Sequence, residues 1–324
     1  MTANGTRTLR VGTRTLRVGT RASALARTQT GLVVQALDLD VEIVPISTEG
    51  DRSAQAVAQL GGTGVFVSAL RSALLAEEID VAVHSYKDLP TATADGIVVA
   101  AVPRREDARD ALVARDGLTL GELPVGSRLG TGSPRRSAQL RALGMGLEIV
   151  PLRGNVETRL GKVASGELDA VVLAYAGLRR LGRADAVTEI LDPIQILPAP
   201  GQGALAVECR ASDTAVIEAL AVLEHSDTRA AVSAERALLA ALEGGCSAPV
   251  GALAEITEAD QPAGEGADRH ELEVFLRACV TAIDGSHTVR LSATGPSTDA
   301  DGVGRRLAAD LIAEGADQMI GSSS

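Results

Sequence analysis

Apolar and polar positions alternate along the chain with two periods, one typical of strands and the other of helices. Ala22 to Leu37 has the spacing of a helix, and Val41 to Ser47 has that of a strand. The same succession follows in Phe66 to Ala76, a predicted helix, and in Asp80 to Val83, a predicted buried strand. Repeated alternation of this kind is typical of a mainly parallel sheet with covering helices. The pattern therefore predicts an α/β fold.

A second α/β series follows Pro103 to Asp110, a charged stretch that we interpret as a hinge. Strands are predicted at Leu147 to Val150 and at Leu168 to Leu173. The Pro- and Gly-rich stretch Leu197 to Leu205 is interpreted as a return segment between domains. The pattern of Ala211 to Leu242 is largely helical.

The C-terminal part has a different pattern. Glu255 to His270 is acidic and contains Gly and Pro, so we predict a mobile surface loop there. Leu272 to Ala282 and Thr288 to Ala293 are predicted to form a hairpin. Val303 to Gly315 has the spacing of a closing amphipathic helix.

The N-terminus contains a direct repeat, because RTLRVGT occurs at Arg7 to Thr13 and again at Arg14 to Thr20. Only the second copy continues into Ala22-Ser23-Ala24, so we predict it as the first strand and residues 1–14 as an appended extension. An Arg-rich transit peptide is the alternative, since no acidic residue precedes Asp38. The strand-like alternation of Leu, Arg and Val favours the extension.

The composition excludes several classes of protein. With 42 Asp and Glu against 31 Lys and Arg, the net charge is −11, which argues against general nucleic-acid binding. No apolar run approaches the length needed to span a membrane. The three cysteines are odd in number and widely spaced, which indicates free thiols in a reducing compartment. CxxC and HExxH patterns are absent from the sequence, so no metal site is predicted.

The stretch from Val81 to Thr91 carries the first candidate chemistry. Its apolar start changes abruptly to polar residues, and Pro90 ends any regular element. Ligands of α/β folds lie outside the carboxyl ends of strands, so Asp88 stands where a working carboxylate is expected. Lys87 beside it is one of only two lysines in the chain. The alternative, a solvated turn between strand and loop, stays open.

Arginines recur in the loops that follow predicted strands. They are Arg21, Arg135, Arg136, Arg153, Arg159 and Arg180. Ser133 is a predicted N-cap with Pro134 at the first helical position, so this helix start and the arginines after it form an anion site. Because guanidinium groups pair with carboxylates, we predict a cluster that binds a polycarboxylate ligand. A single arginine of this kind is more often a solvated surface residue.

Cys246 follows two glycines at the end of the predicted helix Ala230 to Leu242. A cysteine on a tight glycine loop is a candidate nucleophile or attachment point. The alternative is inert packing. Cys209 and Cys279 lie in apolar, strand-like runs and are predicted to be part of the core.

Together, these motifs resemble one family. HSYKDLPT, GTGSPRR, LRGNVETRL, AGLRRLG, LPAPGQGAL and ALEGGCSAPVG occur in the order typical of the hydroxymethylbilane synthases, also called porphobilinogen deaminases, and the match runs from about Leu16 to Ile320. The resemblance implies two α/β domains similar to the halves of periplasmic binding proteins, and a small C-terminal α/β domain. The implied domains are 15–103 with 204–221, then 109–197, and last 226–320.

The resemblance also implies the reaction. Four porphobilinogen molecules are added head to tail with loss of ammonia, on a dipyrromethane cofactor that a thioether joins to Cys246, and water then releases hydroxymethylbilane. Asp88 is implied as the catalytic residue, which stabilises the cationic ring left by ammonia and assists proton transfers. The implied cofactor-binding residues are Cys246, Lys87, Ser85, Ser133, Arg135, Arg136, Thr131 and Gly154. The implied substrate-binding residues are Arg21, Ser23, Phe66, Arg153, Arg159, Arg180 and Gln202.

The family context implies a cytoplasmic monomer of heme biosynthesis that has no nucleic-acid or membrane partner. The chain departs from the family at Gln59 and Thr63, where many members have lysines, so the role of that loop stays open. A second hypothesis is a two-lobed module that binds a small anion without chemistry. It fits the arginines equally well, but it gives Cys246 and the Lys87-Asp88 pair no role.

Overall fold

The chain divides into two compact units. The first comprises residues 1–104 and 205–225, and the second comprises residues 105–204 and 226–324. The chain therefore passes between the units three times. The computed structural model describes residues 15–37, 39–46, 63–243, 248–262 and 270–320.

The first unit is built on a five-stranded sheet. Its strands are β1 (Leu16–Thr20), β2 (Val41–Pro45), β3 (Val81–Ser85), β4 (Ile97–Ala101) and β10 (Leu205–Arg210). They lie in the order β2-β1-β3-β10-β4. β1 pairs in parallel with β2 and β3, whereas β10 is antiparallel to β3 and β4. The prediction that the second RTLRVGT copy forms the first strand is confirmed, and the first copy lies outside the described residues.

Helices α1 (Ala24–Leu37), α2 (Thr63–Leu75) and α6 (Thr214–Leu220) complete the described part of this unit. The first four residues of β3 are buried, as expected for a strand covered on both faces. Val33 and Leu37 of α1 pack with Val18 and Val81 of the sheet in one apolar cluster. The predicted helices and strands of this unit are confirmed, with ends shifted by a few residues.

The second unit contains an equivalent sheet. Its strands are β5 (Asp110–Ala114), β6 (Arg128–Thr131), β7 (Glu148–Pro151), β8 (Ala170–Ala174) and β9 (Glu189–Ile190). Their order is β7-β6-β8-β5-β9, with β6 parallel to β7 and β8, and β5 antiparallel to β8 and β9. Helices α3 (Pro134–Ala142), α4 (Val156–Ala164) and α5 (Tyr175–Arg180) follow strands of this sheet.

A three-stranded antiparallel sheet forms the rest of the second unit. Its strands are β11 (Val250–Pro262), β12 (His270–Thr281) and β13 (Thr288–Pro296). Helices α7 (Ser226–Ala241), α8 (Ala300–Ala313) and α9 (Ala316–Ile320) share one apolar core with it. The predicted α/β class and the predicted hairpin are confirmed, whereas the predicted domain boundaries stay predictions.

The prediction of a mobile loop from Glu255 to His270 is wrong at both ends. β11 continues through Pro262 and β12 begins at His270, and residues 263–269 lie outside the described residues. The physical reason is the side-chain period of a strand, because Glu255 is exposed while its neighbour Ala254 is buried. Acidic residues that face solvent from a strand have the same local composition as a loop.

Strands β1 and β6 occupy the same place in the two large sheets, and both end in Gly-Thr. A Cβ on Gly19 would lie 2.3 Å from the Ile79 side chain, and a Cβ on Gly130 would lie 2.5 Å from that of Leu168. Close approach of neighbouring side chains therefore requires glycine at both positions. The threonine that follows is buried in each strand.

Buried Glu208 joins three elements of the first unit. The Arg71 guanidinium of α2 donates to this β10 carboxylate at 2.7 and 3.1 Å. Nε2 of His84 on β3 lies 3.2 Å from Oε2 of Glu208, within ion-pair range, although its N–H is not aligned for a hydrogen bond. Burial alone would raise the pKa of Glu208, but the contacts with His84 and Arg71 lower it to about 2.

Buried Glu235 of α7 has the corresponding role in the second unit. Its two oxygens accept from the Arg105 guanidinium at 2.6 and 3.0 Å. They also accept from the backbone N–H of Gly201 at 2.6 Å and from that of Ala254 at 2.8 Å. One carboxylate therefore joins the start of the unit, the Pro/Gly return segment and β11.

We expect Glu235→Ala to lower the free energy of unfolding of the second unit by about 3–5 kcal/mol, because Arg105 would stay buried without its counter-ion. Glu255→Ala is the matched control. It removes a half-exposed pair with Arg277, and such pairs contribute about 0–1 kcal/mol. Urea unfolding measures both variants, and equal losses would contradict the assignment.

We expect acid to remove a contribution of Glu208 to stability. Because its pKa is lower in the folded than in the unfolded chain, the contribution of roughly 3 kcal/mol is complete above about pH 5 and is lost as the pH falls toward 2. Urea unfolding between pH 2 and 7 measures it. In Glu208→Gln this part of the pH dependence should disappear, and an unchanged pH profile in that variant would contradict the prediction.

Candidate active site

The end of β3 presents a carboxylate. After Ser85 the chain makes a short 3₁₀ turn over Tyr86–Asp88, and Pro90 follows. Asp88 is half-buried, and its side chain has no ion-pair or hydrogen-bond partner among the described residues. A partly buried carboxylate without a protein donor is available to a ligand that carries N–H groups.

A pocket in the first unit brings several of the predicted site residues together. β1 and β3 are parallel neighbours, so their carboxyl ends meet at one edge of the sheet. Ser23 lies directly before α1, and its Oγ accepts from the Ala26 N–H in the first turn of that helix at 3.3 Å. The pocket is lined by Arg21, Ser23, Leu25, Ala26, Gln29, Val67, Val83, His84, Ser85 and Asp88.

Sequence reasoning missed Gln29 and His84 as pocket residues. Gln29 is buried on α1 and exchanges two hydrogen bonds with the Ser85 hydroxyl, at 2.9 and 3.2 Å. The sequence did contain a signal for it, because Gln29 lies four and eight residues before Val33 and Leu37 on the buried face of the helix. A polar residue on an apolar helix face needs a partner.

Two other predicted site residues of this unit, Lys87 and Phe66, are not among the described residues that line the pocket. Lys87 is half-buried within the turn that carries Asp88. Phe66 lies in α2, and its side chain is outside the described part of the structure.

In the second unit, buried Asp110 holds three predicted site residues. The guanidinium groups of Arg135 and Arg136 each donate to it at 2.7 Å, one to each oxygen. Gln202 donates to the same carboxylate at 2.7 Å and to the Ala108 carbonyl oxygen at 2.7 Å. Burial would raise the pKa of Asp110, but the two arginines hold it well below its usual range. Asp110 was missed because its position in a charged stretch suggested a hinge.

The loop after β6 is built as the sequence predicts. Thr131 is buried, and its hydroxyl accepts from the Ser133 N–H at 3.2 Å. Ser133 caps α3, where its Oγ accepts from the Arg136 N–H at 3.4 Å, and Pro134 is the first helical residue. The first turn of this helix therefore carries both arginines that bind Asp110.

The other predicted arginines of this unit have no carboxylate within ion-pair distance among the described residues. Arg153 is exposed, and the Nε of Arg159 donates to the Gly154 carbonyl oxygen at 2.9 Å. Gly154 has φ +108°, a conformation that favours glycine. Arg180 donates to the Gly203 carbonyl oxygen at 2.7 Å.

Arg159 and Arg180 are partly buried, and neither forms an ion pair with a carboxylate in the described part of the chain. Burial lowers the pKa of Arg159, and the nearby charge of Arg136 lowers it further. Burial also lowers the pKa of Arg180, which the charge of Glu106 offsets in part. A ligand that bears several carboxylates would supply the missing counter-charge.

The cysteines fall into two groups. Cys246 lies outside the described residues. Cys209 and Cys279 are fully buried, which confirms their prediction as core residues. Burial raises the pKa of Cys209 to about 11 and raises that of Cys279 as well, so neither is a reactive thiolate near neutral pH.

Two kinds of feature are absent from the described residues. No group of three or more His, Cys, Asp or Glu side chains is arranged there to hold a metal ion. None of the helices in that part of the chain is long and apolar enough to cross a membrane.

The chain is similar to known proteins over nearly its full length. Residues 16–218 match the family described as "Porphobilinogen deaminase, dipyromethane cofactor binding domain", and residues 229–313 match its C-terminal domain. The porphobilinogen deaminase of Mycobacterium tuberculosis (strain ATCC 25618 / H37Rv) is 59% identical over 301 residues, which cover 92% of this chain and 96% of that protein. That of Mycobacteroides abscessus is 56% identical over 302 residues, covering 92% and 97%.

Among solved structures, a nutrient-binding protein from Burkholderia cenocepacia bound to methionine is 17% identical. The match covers 63% of this chain and 89% of that protein, and its TM-score of 0.39 is too low to support an argument about fold. The two domain matches and the full-length relatives settle the question of family. The chain belongs to the porphobilinogen deaminase family.

Proposed function

We propose that Asp88 is the catalytic carboxylate with which this chain condenses porphobilinogen. Membership of the family makes the chain a transferase of tetrapyrrole biosynthesis, which joins four porphobilinogen molecules head to tail into hydroxymethylbilane. The observation that supports the role of Asp88 is its half-buried carboxylate, which shares a pocket with Arg21 and Ser23 and has no partner in the part of the chain that the structure describes.

The chemistry of the reaction gives Asp88 its task. Loss of ammonia leaves a positive charge spread over the pyrrole ring, including its N–H group. A carboxylate in a pocket that partly excludes water stabilises this charge more strongly than solvent does. Because no cation among the described residues pairs with Asp88, its charge is available to the substrate. Arg21 and Ser23 would hold a carboxylate of the incoming molecule.

The second unit supplies the donors for the anionic groups of cofactor and product. Arg153, Arg159 and Arg180 lack carboxylate partners in the described structure. Their guanidinium groups are therefore available to the carboxylate side chains of a dipyrromethane. When bound, the dipyrromethane would supply the free pyrrole carbon to which the first porphobilinogen is joined. The proposed contacts of the second unit are Thr131, Ser133, Arg135, Arg136, Arg153, Gly154, Arg159, Arg180 and Gln202. Lys87, Ser85 and Phe66 are the proposed contacts of the first unit.

Cys246 is the proposed attachment point of the cofactor, through a thioether. Among the three cysteines, Cys209 and Cys279 are excluded by burial and by their raised pKa. The proposed setting is a cytoplasmic monomer, in keeping with free thiols in a reducing compartment. The proposed division into three domains follows the three sheets of the chain.

We expect the intact protein to carry a covalent adduct of two pyrrole units. Cys246→Ala should lose it, whereas Cys279→Ala, which changes a buried thiol, should keep it. Mass spectrometry of the intact chains measures both. Finding the wild-type protein fully active without any adduct would contradict the covalent attachment.

We expect Asp88→Asn to lower kcat for ammonia release from porphobilinogen by about 100-fold or more, the usual range for removing a group that stabilises charge in the transition state. The midpoint of unfolding should not change, because Asp88 has no partner to lose among the residues that the structure describes. Asp95→Asn, which changes an exposed carboxylate of the same unit, is the control.

Near-normal ammonia release by Asp88→Asn would remove Asp88 from this role. If the wild-type protein bound porphobilinogen without releasing ammonia, the chain would instead be a binding module.

A further inference from the structure

His84 lies between the Asp88 pocket and a buried carboxylate. It is 6% exposed and lines the pocket together with Asp88. Ala206 of β10 is paired with His84, and Glu208 is paired with Ala82, so Glu208 lies on the same face of the sheet two residues along. Nε2 of His84 is 3.2 Å from Oε2 of Glu208.

Glu208 is suited to orient the imidazole. Its lowered pKa keeps it ionised at neutral pH, and the bonds from Arg71 hold it in place. A carboxylate beside one ring nitrogen favours the tautomer in which that nitrogen carries the hydrogen. The second nitrogen, Nδ1, has no hydrogen-bond partner among the described residues. Among the described residues, the charged groups near the ring are Glu208 with its partner Arg71, and Arg21 and Asp88, which line the same pocket.

The reaction requires a proton acceptor, and a carboxylate that stays ionised to stabilise the cationic ring, as proposed for Asp88, is not free to be that acceptor. Each condensation joins a methylene carbon to a ring carbon that carries hydrogen. The C–N bond breaks and its electron pair leaves with ammonia. The new C–C bond uses a π electron pair of the attacking ring, and the electrons of the C–H bond then restore that ring. One proton must therefore leave the ring carbon in every cycle.

We infer that His84 is a catalytic base that takes this ring proton at Nδ1, with Glu208 as its positioning residue. The inference rests on the proposed function of the Asp88 pocket. The proton passes from carbon to Nδ1, giving an imidazolium that the Glu208 carboxylate stabilises, and then to the departed ammonia. Asp88 keeps its negative charge throughout and stabilises the cationic ring, so the two groups have separate tasks.

The first experiment requires no turnover. Nitrogen-15 NMR of the histidine-labelled full-length protein distinguishes the two neutral tautomers, and the His84 signals are those missing from His84→Gln. We expect hydrogen on Nε2 and a bare Nδ1 in the wild-type protein, and loss of this preference in Glu208→Gln. Hydrogen on Nδ1 in the wild-type protein would overturn the inference.

The second experiment compares porphobilinogen with hydrogen or deuterium at the free ring carbon. His84→Gln keeps an N–H group that can face Glu208 but provides no basic nitrogen. We expect its kcat to fall by about 100-fold or more, and a deuterium effect on kcat that is larger than in the wild-type enzyme. In Glu208→Gln we expect a smaller fall in kcat with KM little changed.

Asp80→Asn is the matched control, because Asp80 is a fully buried carboxylate of the same sheet that pairs with Arg17 and Arg210. It should lower stability but leave kcat and the deuterium effect unchanged. Two results would leave His84 with a purely structural role and overturn the inference. They are an unchanged rate in His84→Gln, and a lower rate without a larger deuterium effect. Absence of ammonia release by the wild-type protein would overturn the proposed function as well.

Discussion

The burial of Asp110 between two arginines is the interaction on which the second unit depends. One carboxylate faces two guanidinium groups and the Gln202 amide, so the cluster keeps a net positive charge inside the protein. The charge of this cluster also acts on Arg159, because burial lowers the pKa of that guanidinium and the neighbouring Arg136 lowers it further. A site that holds fixed positive charge before its ligand arrives does not have to reorganise when an anion binds.

The two large sheets share one local arrangement of strand, loop and helix, but its loop carries different functional residues in each. In each, the first strand ends in Gly-Thr, and a serine then caps a helix through the N–H three residues later. The loop of the first unit carries Arg21 beside the pocket of Asp88, whereas that of the second carries the arginines that bind Asp110. The same local geometry therefore places an arginine at the pocket of Asp88 in one unit and two arginines on a buried carboxylate in the other.

The sequence predicted local elements and residue types better than it predicted partners. The capped start of α3 followed from Ser133 and Pro134, whose preferences act within a single turn. The pairing of Asp110 with Arg136 joins positions 26 residues apart through sheet packing, which no local pattern records. Glu255 suggested a loop, because composition alone does not tell a solvent-facing strand residue from a loop residue. The role of Gln29 required the neighbouring strand to be in place.

The position of β10 has a consequence for how the protein is made. This strand lies between β3 and β4, and among the described residues it is the pairing partner of β4. In the chain, however, β10 follows residues 105–204, which belong to the second unit. A nascent chain on the ribosome cannot complete its first sheet until Arg210 has been synthesised. The edge of β3 that pairs with β10 therefore stays unpaired while residues 105–204 are synthesised. During this interval a chaperone would protect the nascent chain from aggregation.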